Sequence, residues 1–237
     1  MISTVTEMDW KLLIEGLTDV FAPRVCPVCG NHLARGERDV CAACLAMMPR
    51  VEFDNGGCPE VERLLLGSRI VDHAVSMFLY HRSSPYAEIL KDVKYRNNPQ
   101  IAEALASIFA RELLPTGFFD GIDMTVPVPI HSSKLAKRGY NQSLYIASGI
   151  ESATRIPTAE AIRAMKPHSS QTSHSASERR LNVDGIFKAK PSVAGKAVLL
   201  IDDVITTGAT MTACCDALRL AGAARVSVLS LGFAGSV

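Results

Sequence analysis

Asp202 and Asp203 are the residues with the clearest chemistry: they are adjacent acids that follow four apolar residues and precede a turn rich in threonine and glycine. The apolar run has the length of a buried strand, and apolar residues at helical spacing follow the turn, so the pattern predicts strand, loop and helix. Ionised carboxylates only accept hydrogen bonds, so the acids suit sugar hydroxyls or a hydrated cation. The N–H groups of the turn would lie at a helix N-terminus, which favours a phosphate group. The predicted phosphate-binding residues are Thr206, Thr207, Gly208, Ala209 and Thr210.

The same stretch has a simpler interpretation, in which a buried strand ends in a solvated acidic turn followed by an ordinary helix cap. A glycine-rich turn alone would favour that interpretation. Here both acids and the threonines stand in register, and this combination favours the phosphate site.

Two close pairs of cysteines form a second group with metal-binding spacing: Cys26 with Cys29, and Cys41 with Cys44. Each pair offers two thiolates from one turn, and two pairs complete a tetrahedron, so the spacing predicts a zinc knuckle or ribbon. A site of four thiolates has no open position, so the zinc would be structural. The alternative is four unligated thiols, and His32, between the pairs, is expected on the surface. Cys214 and Cys215 are expected to pack inside as small apolar residues.

Three cations, Lys134, Lys137 and Arg138, follow a predicted strand. They would lie at the end of a strand in the sheet that also carries the acid pair. In that position they could neutralise a pyrophosphate leaving group. A solvated basic turn over residues 132–140 is an equally good interpretation. A polar segment at residues 168–183 is a candidate mobile lid, and its alternative is a surface loop that links two strands.

Length and composition narrow the class of protein. The 237 residues suffice for one sizeable domain and a small module. The net charge of +1 gives no general attraction to nucleic acid or to a membrane surface. Acids interrupt the N-terminal segment, so a signal peptide is not expected, and no apolar run is long enough to span a bilayer. We therefore expect a cytoplasmic protein that does not insert into membranes.

Alternating patterns place these groups on an α/β scaffold. Apolar residues at helical spacing predict a helix at residues 9–21. Strands and helices then alternate, which is typical of a doubly wound, mostly parallel sheet with covering helices. A polar turn before residue 58 indicates a boundary, so we expect an N-terminal helix and zinc module at residues 1–57 and a second domain at residues 58–237. Further strands are predicted at residues 69–80, 122–128 and 224–231, and helices at residues 85–96, 99–114 and 142–153.

The acid pair and its turn, in the sequence IDDVITTGAT, resemble the signature of type I phosphoribosyltransferases. Together with the cysteine pairs, the basic stretch, Lys94-Tyr95 and the polar segment that contains Glu178-Arg179-Arg180, they resemble the ComF family, which includes the GntX-type proteins. The resemblance covers nearly the whole chain from Cys26 onward. It implies a zinc-bearing N-terminal module on a type I phosphoribosyltransferase fold, associated with natural competence and DNA uptake, with no acceptor assigned.

For the site, the resemblance implies binding of phosphoribosyl pyrophosphate (PRPP) with Mg²⁺. Asp202 and Asp203 would hold the ribose 2′ and 3′ hydroxyls, the turn would hold the 5′-phosphate, and pyrophosphate would leave toward Lys134 and Arg138. The catalytic candidates are therefore the two acids, Asp202 and Asp203, and the two cations, Lys134 and Arg138. Asn97 stands where a glycine is common in the family, and asparagine tolerates the left-handed backbone that such a turn needs.

Two classes of function follow from the resemblance. The first is a phosphoribosyltransferase with an unknown acceptor. The second is a non-catalytic module that keeps the PRPP pocket and acts in a DNA-uptake or DNA-processing complex. The family implies single-stranded DNA and a helicase-type competence protein as partners. The cations of the basic stretch and of the polar segment could bind single-stranded DNA weakly, whereas the helicase-type partner leaves no mark in this sequence. The intact acids and threonines, with a stretch suited to the leaving group, favour the enzyme.

Overall fold

The computed structural model describes residues 24–54, 57–65, 71–165 and 186–235. The helix predicted at residues 9–21 and the polar segment at residues 168–183 lie outside the described residues. Within the described residues, no helix is long and apolar enough to cross a membrane.

A parallel sheet forms the centre of the described fold. The strands are β1 (Val71–Leu79), β2 (Met124–Pro127), β3 (Ile162–Ala164), β4 (Phe187–Ala189), β5 (Ala197–Ile205) and β6 (Arg225–Phe233). The main sheet has the order β1-β6-β5-β2 with parallel neighbours throughout, and β3 pairs with β4 as an antiparallel ribbon. β5 and β6 are buried along most of their length, which explains their nearly continuous apolar runs.

Helices connect the strands and pack against the sheet. They are α1 (Ala42–Ala46), α2 (Pro59–Leu65), α3 (Ala87–Tyr95), α4 (Gln100–Leu113), α5 (Ser132–Arg138), α6 (Gln142–Thr154) and α7 (Ala209–Leu220). α4 and α6 can approach each other closely because Gly149 has no side chain. A Cβ at that position would collide with the carbonyl oxygen of Glu103. The predicted α/β class, with a parallel sheet and covering helices, is confirmed.

The predicted strands and helices of the second domain correspond to β1, β2, β6, α3, α4 and α6, but the basic turn predicted at residues 132–140 is wrong. Most of it is helix α5. His131 caps this helix, because its Nδ1 accepts from the Ser133 N–H at 3.3 Å, and Gly139 ends it with a φ of 82°. The helix buries no residue, so it has no apolar stripe by which its sequence could reveal it.

Strand β5 continues past its apolar run and includes the acid pair. Asp202 pairs with Ser230 and Ile205 pairs with Phe233, so β6 supports β5 up to the start of the turn. The turn at residues 206–210 therefore begins at the edge of the sheet. Asn97 has a φ of 54°, which confirms the left-handed conformation expected of it.

The cysteine module, residues 24–48, packs against the sheet domain and is also joined to it by hydrogen bonds. The Leu79 N–H donates to the Pro49 carbonyl oxygen at 2.7 Å, so the segment that leaves the module runs beside β1. The Tyr86 hydroxyl, at the start of α3, donates to the Cys44 carbonyl oxygen at 2.9 Å. The domain bounds of 1–57 and 58–237 remain a prediction.

Candidate functional site

An open cleft of about 1210 Å³ lies at the carboxyl ends of the parallel strands. Its walls come from the segments that follow β1, β2 and β5, and from α3, α5 and α6. Ligands of open parallel sheets bind at this edge. The predicted site residues that line the cleft are Lys134, Arg138, Asp202, Asp203, Thr206 and Thr210. The structure thus brings the acid pair, the turn and the basic stretch together.

Each acid of the pair is held by a different neighbouring element. Asp203 Oδ2 lies 2.9 Å from Lys94 Nζ at the end of α3, and both side chains are largely buried. Asp202 Oδ1 accepts from Ser143 Oγ, in the first turn of α6, at 3.0 Å. The Asp203 N–H donates to the same oxygen at 2.9 Å. Other groups of the protein therefore position the two carboxylates.

The charges of this cluster are only partly balanced. Burial and the neighbouring charge of Asp203 raise the pKa of Asp202 to about 7. Burial alone would lower the pKa of Lys94, but the charge of Asp203 and its hydrogen bond outweigh that effect and raise it. The cluster therefore contains one ion pair and a second carboxylate whose ionisation is unfavourable. Hydroxyl donors or a divalent cation would stabilise that second charge.

The turn after β5 contributes Thr206 and Thr210 to the cleft, whereas Thr207, Gly208 and Ala209 are absent from its described lining. Gly208 precedes α7 with a φ of 71°, a left-handed conformation that favours glycine. A Cβ on Gly208 would lie 3.1 Å from side-chain atoms of Leu64 in α2, so here the chain also approaches another helix closely. What these three residues offer a phosphate is the backbone at the start of α7.

Arg138, at the end of α5, is fixed by two neighbours. Its Nη1 donates to Gln142 Oε1 at 2.9 Å. Its guanidinium carbon lies 5.4 Å from the ring centroid of Tyr95, which is within the range of a cation–π contact. Lys134 lies one turn earlier on the same helix and also lines the cleft, whereas Lys137 is not part of the described lining. Lys134 and Arg138 therefore form one basic wall.

Three polar residues that hold the acids or Arg138, namely Lys94, Gln142 and Ser143, have no role assigned to them in the sequence interpretation. In the sequence interpretation, Lys94 appears only as part of a motif that resembles the ComF family. For the other two a signal exists, because Asn141 is a favourable helix cap, and its Oδ1 accepts from the Ser143 N–H at 3.2 Å. This cap would have placed the first turn of a helix directly after the basic stretch.

The four paired cysteines form one cluster, in which all the Sγ atoms lie within 4.8 Å of one another. Sulfurs bound to zinc at 2.3 Å in a tetrahedron are about 3.8 Å apart, and Cys29 Sγ lies 3.8 Å from Cys41 Sγ. Burial disfavours the Cys26 thiolate, but N–H groups of Cys41, Cys29 and Val28 outweigh burial and lower its pKa to about 7. The cluster can therefore hold a metal ion. His32 is exposed and is not part of it, and Cys214 and Cys215 are buried as predicted.

The chain is similar to several known proteins. Residues 95–231 match the family model described as "Phosphoribosyl transferase domain". The chain is 26% identical over 215 residues to "DNA utilization protein YhgH" of Escherichia coli O157:H7, which covers 87% of this chain and 89% of that protein. It is 28% identical over 158 residues to "Competence protein F" of Haemophilus influenzae, covering 64% of this chain and 69% of that protein.

A solved structure of glutamine phosphoribosylpyrophosphate (PRPP) amidotransferase from B. subtilis, complexed with ADP and GMP, aligns with 24% identity and a TM-score of 0.40. The alignment covers 56% of this chain and 26% of that one, so this chain spans about a quarter of the length of that protein.

Proposed function

Since this chain belongs to the phosphoribosyl transferase domain family and is ComF-like, as its motifs indicate, we propose that its cleft binds PRPP with Mg²⁺ and transfers the phosphoribosyl group to an acceptor. The observation that supports this most is the acid pair, which Lys94 and Ser143 hold in the same cleft as the turn that begins at Thr206. A sugar phosphate needs both features side by side.

The charges of the cleft suit a ligand with several phosphates. Its described lining contains five lysines and arginines but only two acids, Asp202 and Asp203. In the proposed complex the acids accept from the ribose hydroxyls, and N–H groups at the start of α7 donate to the 5′-phosphate. The pyrophosphate lies toward the basic wall of Lys134 and Arg138. The lining cations are Arg82, Lys91, Lys94, Lys134 and Arg138.

The proposed reaction is a displacement at the anomeric carbon of the ribose. A bond forms from the acceptor to this carbon while the bond to the pyrophosphate oxygen breaks, and pyrophosphate leaves with the electron pair. Lys134 and Arg138 would neutralise the charge that develops on it, and the remaining residues position the sugar. Asp202 and Asp203 are the carboxylates of the described lining that would hold Mg²⁺ or its water ligands, and the bound ion would supply further positive charge to the pyrophosphate.

Thermal denaturation with and without PRPP and Mg²⁺ tests binding. A ligand at a hundredfold excess over its Kd stabilises the folded state by about 2.7 kcal/mol, so the Tm should rise by several degrees. Ribose 5-phosphate should have a smaller effect, because it lacks the pyrophosphate. Asp203→Asn should lose most of the shift, whereas Asp216→Asn, in α7 but outside the described lining, should keep it. The proposal is wrong if millimolar PRPP leaves the Tm of the wild-type protein unchanged.

The names of the relatives favour a second candidate, a non-catalytic PRPP-binding module that works on DNA. Pyrophosphate release from PRPP, measured with a panel of acceptors, separates the two candidates, because only the enzyme turns PRPP over. With a net charge of +1 we expect weak, salt-sensitive binding to single-stranded DNA, carried by a few cations. Tight binding at physiological salt without turnover would favour the module. The cations are Lys134, Lys137 and Arg138, with Arg179 and Arg180 outside the described residues.

For the cysteine module, Cys26, Cys29, Cys41 and Cys44 are proposed to hold one structural Zn²⁺. The donor set and the spacing of the sulfurs support this ion. With four thiolates bound, no position would remain for a substrate, so the ion would stabilise the module and take no part in the transfer.

A further inference from the structure

Gln142 carries an unusual group, a buried side-chain nitrogen with no hydrogen-bond partner among the described residues. The residue is 3% exposed and lies in the wall of the cleft. A buried amide N–H without an acceptor costs about 1–3 kcal/mol of stability. Such groups are rare in folded proteins, and each one calls for an explanation.

Arg138 fixes the orientation of this amide. Gln142 Oε1 accepts from Arg138 Nη1 at 2.9 Å, and a guanidinium can only donate. Turning the amide over would bring Nε2 against the cation, so Oε1 must face Arg138 and Nε2 must face elsewhere. The missing acceptor therefore has to come from outside the amide and its present neighbours.

The surroundings of Gln142 indicate which acceptor fits. Gln142 is the first residue of α6, where the helix dipole favours negative charge. Arg138 precedes Gln142 in the chain and donates a hydrogen bond to its side chain. Ser143 follows Gln142 and donates a hydrogen bond to Asp202. An N–H donor, a guanidinium and a helix N-terminus together suit an anionic oxygen. In PRPP the 5′-phosphate is assigned to the turn at residues 206–210, so the pyrophosphate remains.

We propose that Gln142 is a binding residue of the cleft, and that its Nε2 donates to a pyrophosphate oxygen of the bound ligand beside Arg138. This rests on the proposed function and extends it, since it assigns recognition of the leaving group to the start of α6 as well as to the basic wall. In this arrangement a pyrophosphate oxygen supplies the acceptor that the protein does not offer to Gln142 Nε2.

Calorimetric titration of the full chain with PRPP, inorganic pyrophosphate and ribose 5-phosphate, each with Mg²⁺, tests the inference. Gln142→Met removes the donor with little change of shape. It should weaken binding of PRPP and pyrophosphate about tenfold, the effect of losing one hydrogen bond to a charged group, and leave ribose 5-phosphate unchanged. The Tm of the free protein should change little, because the variant removes an unpaired buried donor together with one hydrogen bond from Arg138. Gln100→Met, at the first position of α4, is the matched control and should leave all three affinities unchanged.

Gln142→Glu separates a direct contact from a role in holding Arg138. Glutamate still accepts from Arg138 but replaces the donor with a negative charge, so it should weaken pyrophosphate binding at least as much as Gln142→Met. Unchanged or stronger pyrophosphate binding by Gln142→Glu would overturn the inference. So would a Gln142→Met variant with wild-type affinity for PRPP and pyrophosphate, or one that loses all three ligands together with a lower Tm.

These results are distinguishable from failure of the proposed function. The proposed function fails if the wild-type protein binds neither PRPP nor ribose 5-phosphate. In that case the affinities of the wild-type protein and of Gln142→Met for pyrophosphate still test the role of Gln142. A wild-type protein that binds neither pyrophosphate nor PRPP overturns both.

Discussion

The ammonium group of Lys94 lies 2.9 Å from the carboxylate of Asp203, and the two side chains are 19% and 10% exposed. The pair joins the end of α3 to the acid pair of β5. Because neither group is well hydrated, removal of one leaves the other poorly compensated. The same ion pair therefore supports the fold and presents the acids to the cleft.

Lys94→Met should lower the free energy of unfolding by about 2 kcal/mol, because it leaves the charge of Asp203 without its partner. The double variant Lys94→Met/Asp203→Asn should recover much of this loss. Chemical denaturation of the single and double variants gives the coupling energy directly. Lys91→Met is the matched control on α3: its partner is Glu88 and it is 45% exposed, so a loss of no more than about 1 kcal/mol is expected. Additive effects of the two site substitutions would contradict the coupling.

Asp202 should make the stability of the ligand-free protein depend on pH. Its pKa is about 7 in the folded protein against an ordinary value of 3.8, so the folded state binds this proton more tightly than the unfolded state. The stability that the protonated group contributes is lost as the pH rises from about 4 to 7. Asp202→Asn should therefore stabilise the protein at pH 8 and have a much smaller effect at pH 4. Because other groups titrate as well, the quantity to measure is the difference between the two proteins at each pH, and an equal difference at both would contradict the shift.

Metal analysis tests the cysteine module. Purified under reducing conditions, the protein should contain one equivalent of zinc, and Cys41→Ser should lose it, because three thiolates no longer complete the tetrahedron. Hydrogen exchange should then speed up in the module while the strands of the sheet stay protected. His32→Ala should retain the zinc, since His32 lies outside the cluster. Absence of zinc from reduced wild-type protein would refute the assignment.

Two glycines flank α7 and test the turn. Gly208 and Gly222 have φ values of 71° and 86°, so an alanine at either position should cost about 1 kcal/mol of stability. Only Gly208→Ala should also weaken PRPP binding, because the strain of its positive φ would fall on the backbone that is proposed to hold the 5′-phosphate. Gly222→Ala, at the far end of the helix, should bind PRPP normally. Equal affinities for the two variants would show that the turn does not contact the ligand.

The sequence predicts the acid pair, its turn and the four cysteines, because each set is contiguous or repeats a fixed spacing. Local chemistry at those positions is enough, because a strand that carries two carboxylates, a turn and the start of a helix follow one another between Val198 and Thr210. Long-range contacts leave no such pattern. The contact from Lys94 to Asp203 depends on how α3 crosses the sheet, and no spacing in the chain encodes that crossing.

Helix α5 and Gln142 show two other limits. α5 buries no residue, so its sequence has no apolar periodicity, and only its end signals at His131 and Gly139 could have revealed it. Gln142 has an ordinary side chain at the start of a helix. Its importance lies in the missing partner of its side-chain nitrogen among the described residues, which is visible only from the positions of its neighbours.

The position of β6 has a consequence for how the chain folds. β6 is the last strand of the described chain, yet it lies between β1 and β5, and the Ser76 and Ser230 hydroxyls are hydrogen-bonded at 2.6 Å across the β1/β6 pair. During synthesis, β1 must therefore wait for its parallel partner until nearly all the other strands have emerged from the ribosome. A chain that stops before Arg225 lacks the strand that joins β1 to β5, so truncation near the C-terminus should prevent the sheet from forming, and a ribosome-bound nascent chain should become protease-resistant only after residues 225–233 are exposed.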